Sequence, residues 1–201
     1  MALENKLGIT SSAQLALTEE KISKQKALEL FEKNILNSLQ PGSFRALSEI
    51  HRILFEDIYE FAGKLRSVNI SKGNFRFASA VYLKEAVENV EKMPQTCFDE
   101  IIEKYVEMNI AHPFREGNGR SGRIWLDHIF KCELGMVIDW SKVDKTDYLL
   151  AMERSPVRDT ELKALLCSAL NDSINDRELY MKGIDASYSY EGYNEYKTSE
   201  I

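Results

Sequence analysis

A histidine, a carboxylate, an asparagine between two glycines and two arginines fall within twelve consecutive residues: His112-Pro113-Phe114-Arg115-Glu116-Gly117-Asn118-Gly119-Arg120-Ser121-Gly122-Arg123. These are groups that can handle a polyphosphate. An unperturbed imidazole titrates near neutrality, so neutral His112 can serve as a base. Glu116 is a hard oxygen donor suited to Mg²⁺, which takes one or two carboxylates and completes its shell with water and phosphate oxygens. Gly117-Asn118-Gly119 leaves backbone N–H groups uncovered ahead of a helix, where the dipole favours an anion. Arg120 and Arg123 stand three apart in that helix's first turn and read as lying on one side of it. Arginine offers fixed, paired donors to phosphate oxygens. Positive charge at a helix N-terminus is unfavourable unless an anion compensates it, so the pattern itself calls for one.

The elements that must position these groups are mostly helical. Apolar residues at helical spacing predict helices over about 19–39, 44–61, 81–92 and 97–112, with Pro41-Gly42, Gly63 and Pro94 as stops. Thr96-Cys97-Phe98-Asp99 resembles a capping box, and Pro113 ends the helix that brings in His112. Further helices are expected from the glycines to Gly135, over about 144–154 and 158–171 on either side of Pro156, and from Ile174 to Tyr193. Residues 64–78 alternate in part around Ser71-Lys72-Gly73-Asn74 and predict a short β-hairpin. The fold class is mainly α, a compact helical bundle with one hairpin, in one domain spanning 1–201. Residues 1–17 form an N-terminal extension with no assigned role.

The bulk properties narrow the function. A chain of 201 residues with 44% hydrophobic and 29% charged residues reads as an ordinary globular domain. The net charge of −6 gives no support to general nucleic-acid binding. No apolar stretch is long enough to cross a bilayer, and the N-terminal residues lack the basic-then-apolar pattern of a secretion leader. Three scattered cysteines, Cys97, Cys132 and Cys167, argue against a disulfide framework, so a cytoplasmic setting is expected.

The segment His112–Arg123 matches the signature of the Fic family, His-x-Phe-x-(Asp/Glu)-Gly-Asn-Gly-Arg-x-x-Arg, at every specified position. The resemblance extends over roughly 45–193 and implies the Fic fold. It also implies transfer of AMP from ATP to a hydroxyl of a target protein, with Mg²⁺ or another divalent metal. On that resemblance His112 is the base for the incoming Tyr, Ser or Thr hydroxyl, and Glu116 is the metal ligand. Gly117, Asn118 and Gly119 form the phosphate cradle, and Arg120 and Arg123 clamp phosphates. The hairpin 71–77 resembles the family's flap, which holds a target segment by strand addition. Lys72 and Phe75 are placed beside ATP, Asn109 in the nucleotide pocket and Glu161 at its adenosine end.

The tail Ser187-Tyr188-Ser189-Tyr190-Glu191-Gly192 resembles the family's inhibitory pattern, (Ser/Thr)-x-x-x-Glu-(Gly/Asn). Ser187 and Glu191 are four apart, one face of a helix, so residues 174–193 form a C-terminal inhibitory helix. Glu191 is then expected to pair with Arg123 and take the charge that the γ-phosphate needs. The alternative is a bifunctional enzyme in which Glu191 and His112 also remove AMP from the target. Tyr188 is a candidate for self-modification. Expected partners are ATP, a target protein and a second copy of the chain, with no nucleic acid and no membrane. Competing readings are transfer of a different phosphate-containing group, a silent phosphate-binding adaptor, and a DNA-binding regulator.

Overall fold

The computed structural model describes residues 2–73 and 75–201. Asn74, which the sequence places in the hairpin turn, lies outside the described residues. The elements are α1 (Ser12–Glu32), α2 (Phe44–Phe55), β1 (Ser71–Lys72), β2 (Phe75–Arg76), α3 (Leu83–Glu91), α4 (Phe98–Ala111), α5 (Asn118–Leu134), β3 (Val137–Ile138), α6 (Lys145–Arg154), α7 (Thr160–Ser168), β4 (Leu170–Asn171) and α8 (Arg177–Ser189).

Helix α5 is the axis of the molecule. Ile124, Trp125, Leu126, Ile129 and Phe130 are all buried, so this helix is enclosed rather than amphipathic. It packs against α2, α4 and α8. The core around it includes Ile50, Leu54, Ile101 and Ile102, each with no exposed surface. Side-chain caps open the surrounding helices: Ser11 accepts from the Gln14 N–H, Ser43 from Ala46 and Asp176 from Leu179. Gly135, in the left-handed region at φ 64°, ends α5.

Several boundaries differ from the sequence reading, for local reasons. Helix α1 begins at Ser12, because the Ser11 cap precedes the apolar stripe by several residues. The supposed extension 1–17 therefore supplies the first turns of α1, and Leu15 is part of the core. The cap of α4 forms one residue later than expected. Glu100, not Asp99, reaches back to accept from the Thr96 N–H and hydroxyl at 2.7 and 2.8 Å. Helix α2 stops at Phe55, and α8 runs only from Arg177 to Ser189. The stretch read as helix to residue 171 instead ends at Ser168, and a second antiparallel pair, Val137↔Asn171 and Ile138↔Leu170, follows. That pair joins residues distant in sequence and is too short to show a period. The first hairpin is present with Ser71↔Arg76 and Lys72↔Phe75 opposed.

After α8 the chain folds back along α1 through buried charge. Lys24, 1% exposed, bonds Asp185 at 3.0 Å, Glu20 at 3.0 Å and the Tyr196 carbonyl at 2.5 Å. Glu20 accepts the N–H groups of Glu195 and Tyr196. Glu19 takes the hydroxyls of Tyr59 and Tyr193. Removing one partner of a buried ion pair leaves the other charged and unsatisfied, at a cost of about 3–5 kcal/mol. Lys24→Ala should therefore lower the urea-unfolding free energy by about that amount. A loss no larger than that for a surface lysine such as Lys33 would show that the buried network is energetically silent.

Candidate active site

The motif is shaped by a strained turn between α4 and α5. His112 is the residue after α4, at φ 48° and ψ 65°, a conformation few non-glycine residues adopt. Arg66 holds it there. This arginine is 5% exposed, and its guanidinium donates to four carbonyls: His112 at 2.7 Å, Val68 at 2.7 Å, Ala78 at 2.5 Å and Ala111 at 3.1 Å. One side chain thus ties the turn at His112 to both stems of the hairpin.

Beneath the turn, Phe114 is fully buried and stacks on His51 with ring centroids 3.8 Å apart. His51 Nδ1 accepts from the Gly63 N–H at 2.9 Å, so its Nε2–H donates to the Glu116 carbonyl at 2.8 Å. Burial pushes the His51 pKa down to about 3, so the ring stays neutral. The Asn118 amide closes the loop, accepting from the Phe114 N–H at 2.8 Å and donating to the Phe114 carbonyl at 2.7 Å. Gly117 adopts φ 77°, and a side chain there would run into the Phe55 ring.

The His112 ring is oriented by two contacts. It stacks on Phe77 at 3.7 Å, and Nδ1 donates to the Asn109 carbonyl at 3.2 Å. With Nδ1 carrying the hydrogen, the Nε2 lone pair is left free. Burial drives the pKa down to about 4, against the opposing effects of the Asn109 carbonyl and Glu191. The imidazole is therefore neutral across the ordinary working range.

These groups border one cleft of about 740 Å³. His112, Glu116, Gly117, Asn118, Gly119 and Arg123 line its floor, Lys72 and Phe75 its flap side, and Asn109 its wall. Glu191 enters the same cleft from the turn that follows α8. Its carboxylate lies against Gly119 so closely that a Cβ there would strike it. Its Oε1 accepts from Arg123 at 2.9 Å. Arg123 is 3% exposed and also donates to the Ser187 hydroxyl at 2.6 Å and the Ser187 carbonyl at 2.8 Å. Burial would raise the Glu191 pKa, but Arg123 and then Arg120 outweigh it and hold the carboxyl below its ordinary range. The pair is thus fully charged at neutral pH and weakens only as pH falls through that lowered value. Gly192 follows at φ 90°, turning the chain back toward α1.

Three of the sequence-derived candidates lie elsewhere. Arg120 is fully buried on another side of α5, 2.6 Å from Glu19 and over the ring of Tyr193 at 4.5 Å. Its only tie toward the cleft is a 3.2 Å bond to Glu116. Three residues of helix turn the side chain by about 60° relative to Arg123, and α1 captures one arginine while α8 captures the other. Glu161 is half exposed, bonded to Arg154 at 2.7 Å, and does not border the cleft. Tyr188 is 0% exposed, packed between Lys24 and Arg120. The distal cleft is instead walled by Tyr148, Leu149, Met152, Glu153 and Pro156, which no sequence signal marks. Arg66 and His51 carried no signal either, beyond being polar residues inside apolar-rich segments.

Residues 41–130 match the Fic/DOC family. Over that stretch the chain resembles Fic domains. Over 94% of its length it is 28% identical to the protein adenylyltransferase VbhT of Bartonella schoenbuchensis, and it spans only 44% of that relative's length. It is 25% identical, over 85% of its length and 88% of the relative's, to a probable protein adenylyltransferase Fic of Salmonella typhimurium. The fold is that of the BepC protein of Bartonella tribocorum, crystallised with AMPPNP: TM-score 0.68 and 20% identity over 85% of this chain and 93% of that one. The chain thus shares the helical architecture of that structure, with its own hairpin beside the motif. No helix among the described residues is long and apolar enough to cross a membrane.

Two measurements check this geometry. Arg66→Met should speed amide exchange across residues 67–79 and at His112 while leaving α5 protected; unchanged exchange would show that the four carbonyl bonds do not hold the turn. In an NMR titration the His112 ring should stay neutral from about pH 8 down to about pH 5. A midpoint at the ordinary value of 6.5 would contradict the burial.

Proposed function

We propose that this protein transfers AMP from ATP to a hydroxyl of a target protein and that Glu191 holds the reaction in check. The observation that carries the reading is where the Glu191 carboxylate lies: against Gly119 at the start of α5, bonded to the buried guanidinium of Arg123. A carboxylate of the chain itself sits where backbone N–H groups and an arginine invite an anion. The relatives named as adenylyltransferases make ATP the anion of choice.

The residues suit the chemistry. With the triphosphate along Gly117–Gly119, the first turn of α5 faces phosphate oxygens and Arg123 meets the terminal phosphate. Lys72 adds charge from the flap side. Nε2 of His112, its lone pair free, accepts the proton of the incoming hydroxyl as oxygen attacks the α-phosphorus and pyrophosphate leaves. A base of low pKa is acceptable because phosphoryl chemistry of this kind depends on alignment and charge neutralisation more than on basicity. Glu116 fits a divalent cation: Oε1 is bonded to the Gly117 N–H and Arg120, while Oε2 has no hydrogen-bond partner among the described residues. One carboxylate with phosphate oxygens is a usual Mg²⁺ environment, and the cation would neutralise charge on the phosphates. The flap 71–77 would hold the target segment.

With Glu191 in place, Arg123 is not available to the γ-phosphate. ATP then binds with its α-phosphate out of line, and misplacement of about 1 Å costs about a hundredfold in rate. The hydroxyl of Tyr188 is enclosed, which places self-modification after release of α8. One observation favours a second activity at the same site: Glu191 and His112 border the same cleft, and the charge of Glu191 opposes the fall in the His112 pKa. Glu191 would align a water and take its proton as the water oxygen attacks phosphorus, while His112, acting from its protonated form, gives its Nε2 proton to the departing hydroxyl, so that AMP leaves the modified target.

Glu191→Gly should raise labelling of target protein in a lysate with labelled ATP and Mg²⁺ by about a hundredfold. His112→Ala in that background should abolish it. Labelling that stays at the wild-type level would sink autoinhibition by Glu191. For the second activity, wild type should release AMP from a pre-labelled target faster than Glu191→Gly, and equal release would exclude a role for Glu191.

A further inference from the structure

The stretch 61–84, which contains the flap, has five basic residues (Lys64, Arg66, Lys72, Arg76 and Lys84) and no Asp or Glu. This occurs in a chain with 32 acidic residues and a net charge of −6, so the acidic excess belongs wholly to the rest of the molecule. Two of the five are explained by the site above. Arg66 is buried as the clamp of the catalytic turn, and Lys72 borders the cleft. Lys64, Arg76 and Lys84 are exposed and do not line the cleft, so nucleotide phosphates do not use their charge; Lys84 has one loose, exposed pair, 3.9 Å from Glu88, a contact worth little in water.

Arg76 stands in the hairpin, Lys64 on the segment that leads into it and Lys84 in the first turn of α3, which follows it. Arg76 lies in β2, opposite Ser71. The stems are drawn together by Arg66, which bonds Val68 and Ala78, and by Asn69, whose side chain accepts from the Ala80 N–H at 2.8 Å. Beside them three large apolar side chains are exposed: Val68 at 46%, Val81 at 82% and Tyr82 at 67%. The hairpin has two strands, so each keeps an outer edge of backbone groups free to pair with an added chain.

We infer that the target presents an acidic segment, Asp or Glu flanking the modified hydroxyl, to a basic and apolar platform formed by Lys64, Arg76, Lys84, Val81 and Tyr82 around the flap. The inference rests on the AMP-transfer reading and adds to it the chemistry of the partner. Charge of one sign beside the mouth of a cleft steers and selects an oppositely charged ligand, and its effect falls with salt. A protein segment fits better than a nucleic acid because the platform adjoins the open edges of a strand pair.

The probe is a random Glu–Tyr copolymer, fluorescently labelled, with a Lys–Tyr copolymer and a single-stranded oligonucleotide as comparisons. Binding is read by anisotropy on the wild-type protein without nucleotide, and AMP transfer on Glu191→Gly with labelled ATP. The Glu–Tyr polymer should bind in low salt, lose affinity as salt rises and outcompete both comparisons. The triple reversal Lys64→Glu/Arg76→Glu/Lys84→Glu should weaken it about tenfold or more, while the remote Lys33→Glu should not. ATP binding by calorimetry, unchanged in the triple variant, shows that the fold is intact. Equal affinity for the Lys–Tyr polymer, no effect of the reversal, or tighter binding of the oligonucleotide would each overturn the inference. Copolymer binding with no AMP transfer would overturn the proposed reaction and leave the docking surface standing.

Discussion

A guanidinium buried at the floor of a cleft must be matched by an anion, and most of this structure follows from how Arg123 meets that requirement. Its position is dictated by α5, which is buried from Arg120 to Leu126, so the side chain is held at the floor of the cleft. Three bonds meet it there, two from Ser187 and one from Glu191. The Ser187 bonds leave its positive charge unneutralised, and Glu191 supplies the missing charge. Any polyphosphate entering the cleft would compete for that one interaction, so under the proposed function regulation and substrate binding are alternative solutions to the same electrostatic problem.

Glu191 is itself held from behind. The turn after α8 leads into a segment clasped to α1 by Lys24, Glu20 and Glu19. Arg120, three residues before Arg123, is captured by Glu19 of the same helix. The two arginines of the motif thus face two different helices, and together they bring the two ends of the chain to the start of α5. On the other side of the cleft, Arg66 performs a comparable task for the backbone, drawing the left-handed turn at His112 and the hairpin stems onto one guanidinium. The precision of the site comes from buried charge joined to backbone carbonyls, which is directional where apolar packing is not.

Much of this was legible in the sequence where function is encoded locally. Gly117–Gly119, His112 and Glu116 lie within one turn and one helix start, so spacing alone relates them. The helices around them follow from apolar periodicity, and their ends drifted where a cap such as Ser11 or Glu100 lies outside the apolar stripe. What was not legible depends on distant contacts. Nothing in the spacing of Arg120 and Arg123 says which will meet α1 and which α8. Glu161 and Glu153 look equally suitable along the chain, yet only Glu153 borders the cleft, because the turn around Pro156 separates α6 from α7. Arg66 and His51 are single polar residues whose value appears only when carbonyls from other segments converge on them.

The sequence by itself determined the chemical inventory: an imidazole, a carboxylate, an uncovered helix start and a second carboxylate in the tail. It also determined the helical class, since both depend on residues a few positions apart. The tertiary structure decided which of these groups share a cleft, the burial of Tyr188 and the pairing of Glu191 with Arg123. Those are outcomes of desolvation and of contacts across 60 or more residues, as in the 68-residue separation of that last pair, and no local pattern carries them.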